Sequence, residues 1–367
     1  MDDFIKNKAR REIFELKEYV PGKPVEEVER ELGISGVIKM ASNENPLGAS
    51  PMAVEAIKAN LDRVHYYPDS NCYYLKEKIA ASFGIDAASI LIGNGSDELL
   101  RLIAETFLNR DDEVIIADPT FSEYEFTVSV MGAKCIMVQL KDYSHDLNAI
   151  LKAVSEKTKI IYLCNPNNPS GTIFEQAAIE AFMQKVPRDI LIIFDEAYGE
   201  YADKEKFVSG LKYLKQKSNV IILKTFSKIY GLASLRIGYG LTSPEIASAV
   251  KRVFEPFNVN MMAQVAALAA LDDALHVQKS LQVNSRGKEY LYAAFTAMGL
   301  DYVPTQSNFI LVDTGRDCRE VFESMQQNGV IIRPCDSFGY KNHIRVTIGT
   351  DDQNQRFIAA LKTVLKG

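Results

Sequence analysis

Thr225-Phe226-Ser227-Lys228-Ile229-Tyr230-Gly231-Leu232-Ala233-Ser234-Leu235-Arg236-Ile237-Gly238-Tyr239-Gly240 follows, after Lys224, the apolar run Val220-Ile221-Ile222-Leu223. A short unbroken run of β-branched and aliphatic residues reads as a buried strand, so the polar cluster begins where a strand gives way to a loop. Strand-end loops are where binding and catalytic groups concentrate. The loop offers two small hydroxyls, Thr225 and Ser227, an amine at Lys228 and a guanidinium at Arg236. Hydroxyls and a planar cation suit a phosphate. An amine among Phe226, Ile229 and Leu232 would have its charged form disfavoured, and a neutral amine can attack a carbonyl. On its own the stretch has two readings, a Schiff-base lysine beside a phosphate or a surface turn with an ion-paired arginine.

Working outward, the same strand-then-polar-cluster arrangement recurs. Strands are expected at 89–92, 114–117, 134–138, 159–164, 190–194, 220–223 and 236–239, with helices at 53–61, 74–83, around 99–107 and at 177–185 between them. Near-continuous Ile, Leu and Val in short runs that alternate with helices implies strands covered on both faces. The fold class expected is therefore α/β, an open and largely parallel central sheet with its site at the carboxyl ends of the strands. Residues 1–35 read as an arm with a helix at 25–32, and 36–255 as the large α/β domain. Beyond Glu255-Pro256-Phe257 the pattern changes to a helical region at 261–298, strands at 308–312, 330–333 and 343–348, and helices at 318–327 and 353–366. That mixture reads as a smaller α+β domain, 256–367.

The polar clusters at the strand ends are Gly93-Asn94-Gly95-Ser96-Asp97-Glu98, Asp118-Pro119-Thr120-Phe121, Asn165-Pro166-Asn167-Asn168-Pro169-Ser170-Gly171 and Asp195-Glu196-Ala197-Tyr198. The first is a strand, a glycine turn and a helix start, which suits either helix capping or an anion held on free backbone N–H groups. Asp195 closes so apolar a run that its carboxylate calls for a cationic partner. Near the N-terminus, Ser42-Asn43-Glu44-Asn45-Pro46-Leu47-Gly48 is turn-forming and carries two amides able to line a site.

Composition narrows the function. A net charge of -6 argues against nucleic acid and anionic membrane as partners. No run reaches the roughly 18 apolar residues of a membrane span, and the opening residues lack an apolar signal core, so a cytoplasmic protein is expected. Five scattered cysteines without a Cys-x-x-Cys pair and four unclustered histidines point to no disulfide framework and no metal.

Jointly, Asn168-Pro169-Ser170-Gly171, Asp195-x-x-Tyr198 with Asp195 27 residues after Asn168, Ser227-Lys228 with the lysine 33 residues after Asp195, and Arg236 eight further on resemble the signature of fold type I aminotransferases that use pyridoxal 5'-phosphate. Tyr19-Val20-Pro21-Gly22-Lys23-Pro24, the 42–48 cluster, Gly95-Ser96-Asp97-Glu98 and Arg345-Val346-Thr347-Ile348-Gly349-Thr350 resemble, within that family, the histidinol-phosphate branch. The resemblance implies that Lys228 carries the cofactor as a Schiff base and moves a proton between the substrate α-carbon and the cofactor's C4' carbon. It implies that Asp195 pairs with the pyridinium nitrogen and that Tyr198 and Asn168 bond the phenolic oxygen. Ser96, Asp97, Thr225, Ser227 and Arg236 would hold the phosphate, and Phe121 would stack on the ring, where the family often has Tyr or Trp.

Family members are homodimers with shared active sites, which would send Tyr67 to the partner's cofactor phosphate. Arg345, Arg333, Tyr19 and Asn45 would bind substrate. The implied reaction exchanges an amino group between histidinol phosphate and 2-oxoglutarate. Aromatic amino acid aminotransferases and phosphothreonine decarboxylases share much of the pattern and are its alternatives. Ile229-Tyr230 and Ser234 depart from the usual lysine loop and bear on the substrate more than on the reaction class.

Overall fold

The computed structural model describes residues 3–14, 16 and 22–366. Its strands, in chain order, are β1 (Ile38–Lys39), β2 (Ile90–Gly93), β3 (Glu113–Asp118), β4 (Lys134–Gln139), β5 (Thr158–Cys164), β6 (Leu191–Asp195), β7 (Val220–Thr225), β8 (Gly238–Leu241), β9 (Tyr302–Val303), β10 (Phe309–Asp313), β11 (Val330–Ile331), β12 (Arg333–Pro334) and β13 (His343–Thr347). Seven of them form one sheet in the order β2-β8-β7-β6-β5-β3-β4. From β7 to β4 every neighbouring pair is parallel, while β8 is antiparallel to both β7 and β2. The chain leaves β3 towards β4 on one side and resumes at β5 on the other, a reversal that opens a crevice at the carboxyl ends of the strands.

The unbroken apolar runs are explained by burial on both sides. Along β5, β6 and β7 the period of two sends Ile161, Leu163, Ile192, Phe194, Val220 and Ile222 into one hydrophobic layer. Ile160, Tyr162, Leu191, Ile193, Ile221 and Leu223 enter the layer on the opposite face. A half-exposed strand would have alternated polar and apolar residues; these could not. Each buried Ile or Leu contributes about 1.5–3 kcal/mol over an exposed one.

The C-terminal part builds a four-stranded antiparallel sheet, β12-β13-β10-β9, packed on the helices Cys318–Gln327 and Asp351–Lys366 around a separate core. Residues 330–333, which read as one strand, divide between two sheets: Val330 and Ile331 pair with β1 and Arg333 pairs with β13. Ile38 and Met40, placed by sequence at the start of the large domain, are thereby seated on the C-terminal core. The helix Val25–Leu32 packs beside them through Val28, which shares a small cluster with Ile331.

Two further segments differ from the sequence reading. The helical region at 261–298 is two helices, Met261–Ala270 and Ala274–Ala297, the second capped by Asp273, whose carboxylate accepts from the His276 N–H at 3.0 Å. Arg236, expected to open a strand, precedes it: β8 begins at Gly238, and Arg236 sits at φ 51° in the turn. Among the described residues no helix is long and apolar enough to cross a membrane.

Candidate active site

Every strand end that the sequence marked reaches the same crevice. One cavity is lined by Ser96, Asp97, Phe121, Cys164, Asn168, Asp195, Ala197, Tyr198, Thr225, Ser227, Lys228, Ala233 and Arg236. Ser96 and Asp97 open the helix Ser96–Phe107, Phe121 precedes the helix Ser122–Val130, and the other groups follow β5, β6 and β7. The parallel arrangement of those strands is what brings together residues more than a hundred positions apart.

At one end of the cavity the helix Ser96–Phe107 starts after Gly95, with no side chain capping it. Its first N–H groups have no intrahelical acceptor and carry the positive end of the helix dipole. Gly95 is at φ 86°, and a Cβ there would meet the Arg236 guanidinium at 2.8 Å. Arg236 Nη2 in turn donates to Asp97 at 2.8 Å. Both side chains of that pair are 43% exposed, so it orders the guanidinium more than it stabilises the fold. With the hydroxyls of Thr225 and Ser227 beside them, these groups form a cradle for a phosphate-sized anion.

At the other end Asp195 is buried, and burial raises its carboxyl pKa. The Tyr124 hydroxyl donates to its Oδ2 at 2.6 Å and the Ala197 N–H to its Oδ1 at 3.1 Å, and both pull the other way. Tyr198, whose hydroxyl burial pushes up to about 12, stays a neutral donor, and the Asn43 amide donates to it at 2.9 Å. Asn168 accepts from Arg345 Nη1 at 2.5 Å, which turns its NH2 group to the donor side. A carboxylate below and two neutral donors to one side suit a protonated ring nitrogen and a ring oxygen.

Lys228 lies between these ends. Its amine donates to the Ser42 carbonyl at 3.2 Å and sits 5.6 Å from the centroid of the Tyr198 ring. Burial, and then the Arg345 charge, bring its pKa down to about 8. A lysine so placed is a nucleophile at mildly alkaline pH, where an exposed one is not. The loop that carries it is pressed onto the 42–50 turn: Gly231 has φ 70°, and a Cβ on it would meet the Gly48 carbonyl oxygen at 2.1 Å. Only glycine fits at 231.

Arg345, on β13, is buried, and its Nη2 donates to the Ala41 carbonyl at 2.7 Å. Arg333 stands opposite it in register on β12 and is half-buried. Asn45 faces away from the cavity groups and binds the protein itself, with its amide donating to the Ile229 carbonyl and to Ser280 Oγ at 2.8 Å each. Its place is that of a clamp on the lysine loop, because both amide hydrogens are used internally. Tyr67 is 81% exposed and stacks on Phe257, with centroids 4.6 Å apart, outside the cavity. Tyr19 lies outside the described residues.

Residues 35–361 match the family model for aminotransferase class I and II. The chain belongs to that aminotransferase family. It is 55% identical to the histidinol-phosphate aminotransferase of Moorella thermoacetica over 98% of this chain and 93% of that one. A histidinol-phosphate aminotransferase of Symbiobacterium thermophilum is 45% identical over 97% and 98% of the two chains. Among solved structures, histidinol-phosphate aminotransferase from Sinorhizobium meliloti in complex with pyridoxal-5'-phosphate superposes with a TM-score of 0.89, 29% identity and 98% coverage of both chains.

Tyr124, Lys224 and Glu200 were given no role from the sequence, and Asn43 and Glu196 were named there only as members of polar clusters. Tyr124 is the donor to Asp195, and its only sequence signal is its place one helical turn after Phe121. Asn43, quoted with the 42–48 cluster, turns out to orient Tyr198. Lys224 and Glu196 are neighbours of Thr225 and Asp195 on β7 and at the end of β6. They form a buried cluster with Glu200, in which Lys224 Nζ lies 2.9 Å from Glu200 and 3.5 Å from Glu196. Glu196 also accepts from the Gly210 N–H and Ser209 Oγ. This cluster ties the strand that ends in Asp195 to the strand that leads to Lys228.

Proposed function

We propose that this chain is a pyridoxal 5'-phosphate-dependent aminotransferase that exchanges an amino group between histidinol phosphate and 2-oxoglutarate, giving imidazole-acetol phosphate and glutamate, a step of histidine biosynthesis. The observation that carries the reaction class is the joint opening of the depressed-pKa amine of Lys228, the carboxylate of Asp195 and the uncapped helix at Ser96 into one cavity. The substrate follows from the relatives, which carry that name at 45% identity and above over nearly the full chain.

The donor set fits the cofactor. Ser96, Asp97, Thr225, Ser227 and Arg236 would hold its phosphate, Asp195 its ring nitrogen, Tyr198 and Asn168 its phenolic oxygen, and Phe121 would cover one ring face. When bound, pyridoxal 5'-phosphate supplies the carbonyl that takes up the amino group and the ring that accepts the electron pair left at the substrate's α-carbon. Lys228 holds the site in the absence of substrate and, released as a free amine, takes the proton from that α-carbon. The Tyr124 hydroxyl and the Ala197 N–H stabilise the carboxylate form of Asp195 against burial, and that form favours a charged partner at the ring nitrogen. Arg345 would bind the carboxylate of glutamate or the phosphate of histidinol phosphate, with Arg333 beside it, and the resemblance adds Tyr19 as a substrate-binding residue.

The working unit is a homodimer in the cytoplasm. Support for the dimer lies in the exposed aromatic stretch Tyr66, Tyr67, Tyr73 and Tyr74, with Tyr67 offered outward for a partner's cofactor phosphate. The chain divides into the arm, a cofactor-binding domain and a C-terminal domain from about residue 256, with Ile38–Met40 joining the latter. Purified protein loaded with cofactor, mixed in single half-reactions with histidinol phosphate and with phosphothreonine, tests the proposal: formation of imidazole-acetol phosphate with transfer of the amine to the protein supports it, and carbon dioxide release from phosphothreonine with no keto product from histidinol phosphate contradicts it.

A further inference from the structure

Tyr124 is one of the largest fully buried side chains of the protein, yet its hydroxyl is not spent on packing. The Phe121-to-Tyr124 turn at the start of the helix Ser122–Val130 presents two rings at once. Phe121 lines the cavity, and Tyr124 lies behind it, edge-on, with centroids 5.6 Å apart and planes at 86°. Tyr124 is held flat against Tyr162 of β5, with centroids 4.6 Å apart and planes at 7°. Clamped between two rings, its hydroxyl donates to Oδ2 of Asp195 at 2.6 Å, with the Cys164 thiol beside it. That length is in the range of a charge-assisted O–H···O⁻ bond.

We infer that Tyr124 is a positioning residue which, through Asp195, decides on which side of the carboxylate–ring contact the proton rests, and so how strongly the bound ring can accept electrons. The inference rests on the proposed cofactor. A carboxylate and a ring nitrogen face to face in a buried site share one proton, and the pair is either ionic or neutral. A donor on Oδ2 stabilises the carboxylate form, and burial opposes it. The Ala197 N–H on Oδ1 is the second such donor, supplied by the backbone and beyond the reach of substitution. The charges of Lys224 and Asp97 act on the carboxylate in opposite directions, and the Tyr124 hydroxyl is the side chain that donates a hydrogen bond to it and so tips the pair towards carboxylate and protonated ring. Burial moves its own pKa far above the usual phenol value, so it remains a donor throughout the range in which the enzyme works. Without it the proton moves to Asp195, and the ring, now neutral at nitrogen, stabilises the electron pair at the α-carbon less well.

Tyr124→Phe keeps both ring contacts and removes only the donor. The protein is loaded either with pyridoxal 5'-phosphate labelled with ¹⁵N in the ring or with the analogue in which C–H replaces the ring nitrogen. With the natural cofactor, Tyr124→Phe should lower kcat for histidinol phosphate about tenfold, the loss of one hydrogen bond to a charged group, with KM changed by less than about twofold. The ¹⁵N resonance of the bound ring should move towards the unprotonated position. With the carbon analogue, wild type and variant should be equally slow, because the atom on which Tyr124 acts is gone. An unmoved resonance, or the same loss with both cofactors, would overturn the inference and leave Tyr124 a packing residue. Should the variant not fold, 4-aminophenylalanine at position 124, with the same ring and a weaker N–H donor, should shift the resonance in the same direction by less, and no shift would again overturn it. Wild-type protein that neither binds the cofactor nor turns over would instead defeat the functional proposal on which the inference depends.

Discussion

The two sides of the site are built by different means. The cofactor side is made of strand ends: Asn168, Asp195 and Thr225 each stand at or within a few residues of the end of β5, β6 or β7, and the backbone of the parallel sheet sets their spacing. The substrate side is made of side chains from separate segments. Arg345 and Arg333 come from neighbouring strands of the C-terminal sheet. The first side is rigid because each group has a buried partner, as Asp195 has in Tyr124 and Tyr198 in Asn43. The second joins parts of the chain that belong to different cores, and Arg345 is one point of contact, bonded to Asn168 across the boundary. Under the proposed function, reaction class belongs to the sheet and choice of substrate to the seam between cores.

If that division is right, damage to the cofactor side should remove chemistry with every substrate. Lys228→Ala should lower single-turnover amino transfer about a thousandfold or more with histidinol phosphate and glutamate alike, since proton transfer and nucleophilic displacement are lost together. Cofactor binding, followed by absorbance, should persist but weaken. Turnover at the wild-type rate in this variant would break the comparison outright.

Arg345→Gln acts at the seam, and kcat/KM for glutamate should fall about 10- to 100-fold with the lost charge-assisted bond. It has a second consequence. The Arg345 charge is, after burial, the next cause of the low pKa of Lys228, so removing it should move the midpoint of amine reactivity upward from about 8. The sign follows from which form reacts: the neutral amine predominates above its pKa, so the rate of cofactor capture by the empty protein rises with pH through the midpoint. The lysine's reactivity, read by rapid mixing across pH, should in the variant need a more alkaline solution.

Asn45→Ala separates the clamp from the substrate role that its motif implied. Loss of the bonds to Ile229 and Ser280 should cost about 1–2 kcal/mol of stability, seen in chemical denaturation, and leave the ratio of kcat/KM between histidinol phosphate and glutamate unchanged. A selective rise in KM for one substrate would place Asn45 on the substrate side after all. The smallest effect is expected for Tyr67→Phe, which removes one exposed hydroxyl. Cofactor affinity, by equilibrium titration, should weaken only a few-fold, in keeping with about 1 kcal/mol for one hydrogen bond.

The unequal legibility of the two sides has the same origin. Apolar runs that stop at a polar cluster announce a buried strand and its end in consecutive residues, so the sheet and Asn168, Asp195, Tyr198 and Lys228 could be read from the chain locally. Tyr124 could not, because nothing in the sequence of its helix distinguishes a tyrosine whose hydroxyl meets Asp195 from one that fills space. The bonds of Asn45 to Ile229 and Ser280 were hidden for a related reason: a turn rich in amides shows that donors are present and not where they point. Residues 330–333 form one apolar run, and its division between β11 and β12 depends on partners far off in sequence. Arg236 fell outside its expected strand because a positive φ, rare in a non-glycine residue, turns it towards Asp97.

The central claim is that a cofactor site set by the sheet serves a substrate chosen at the seam, and the half-reaction of the cofactor-loaded protein tests it directly. Rates of conversion to the amine-carrying form should be measured with histidinol phosphate, phenylalanine and tyrosine under one set of conditions. The account predicts that histidinol phosphate reacts with the highest kcat/KM, by at least about tenfold, the equivalent of one charged contact to its phosphate. Faster conversion with phenylalanine or tyrosine would contradict it.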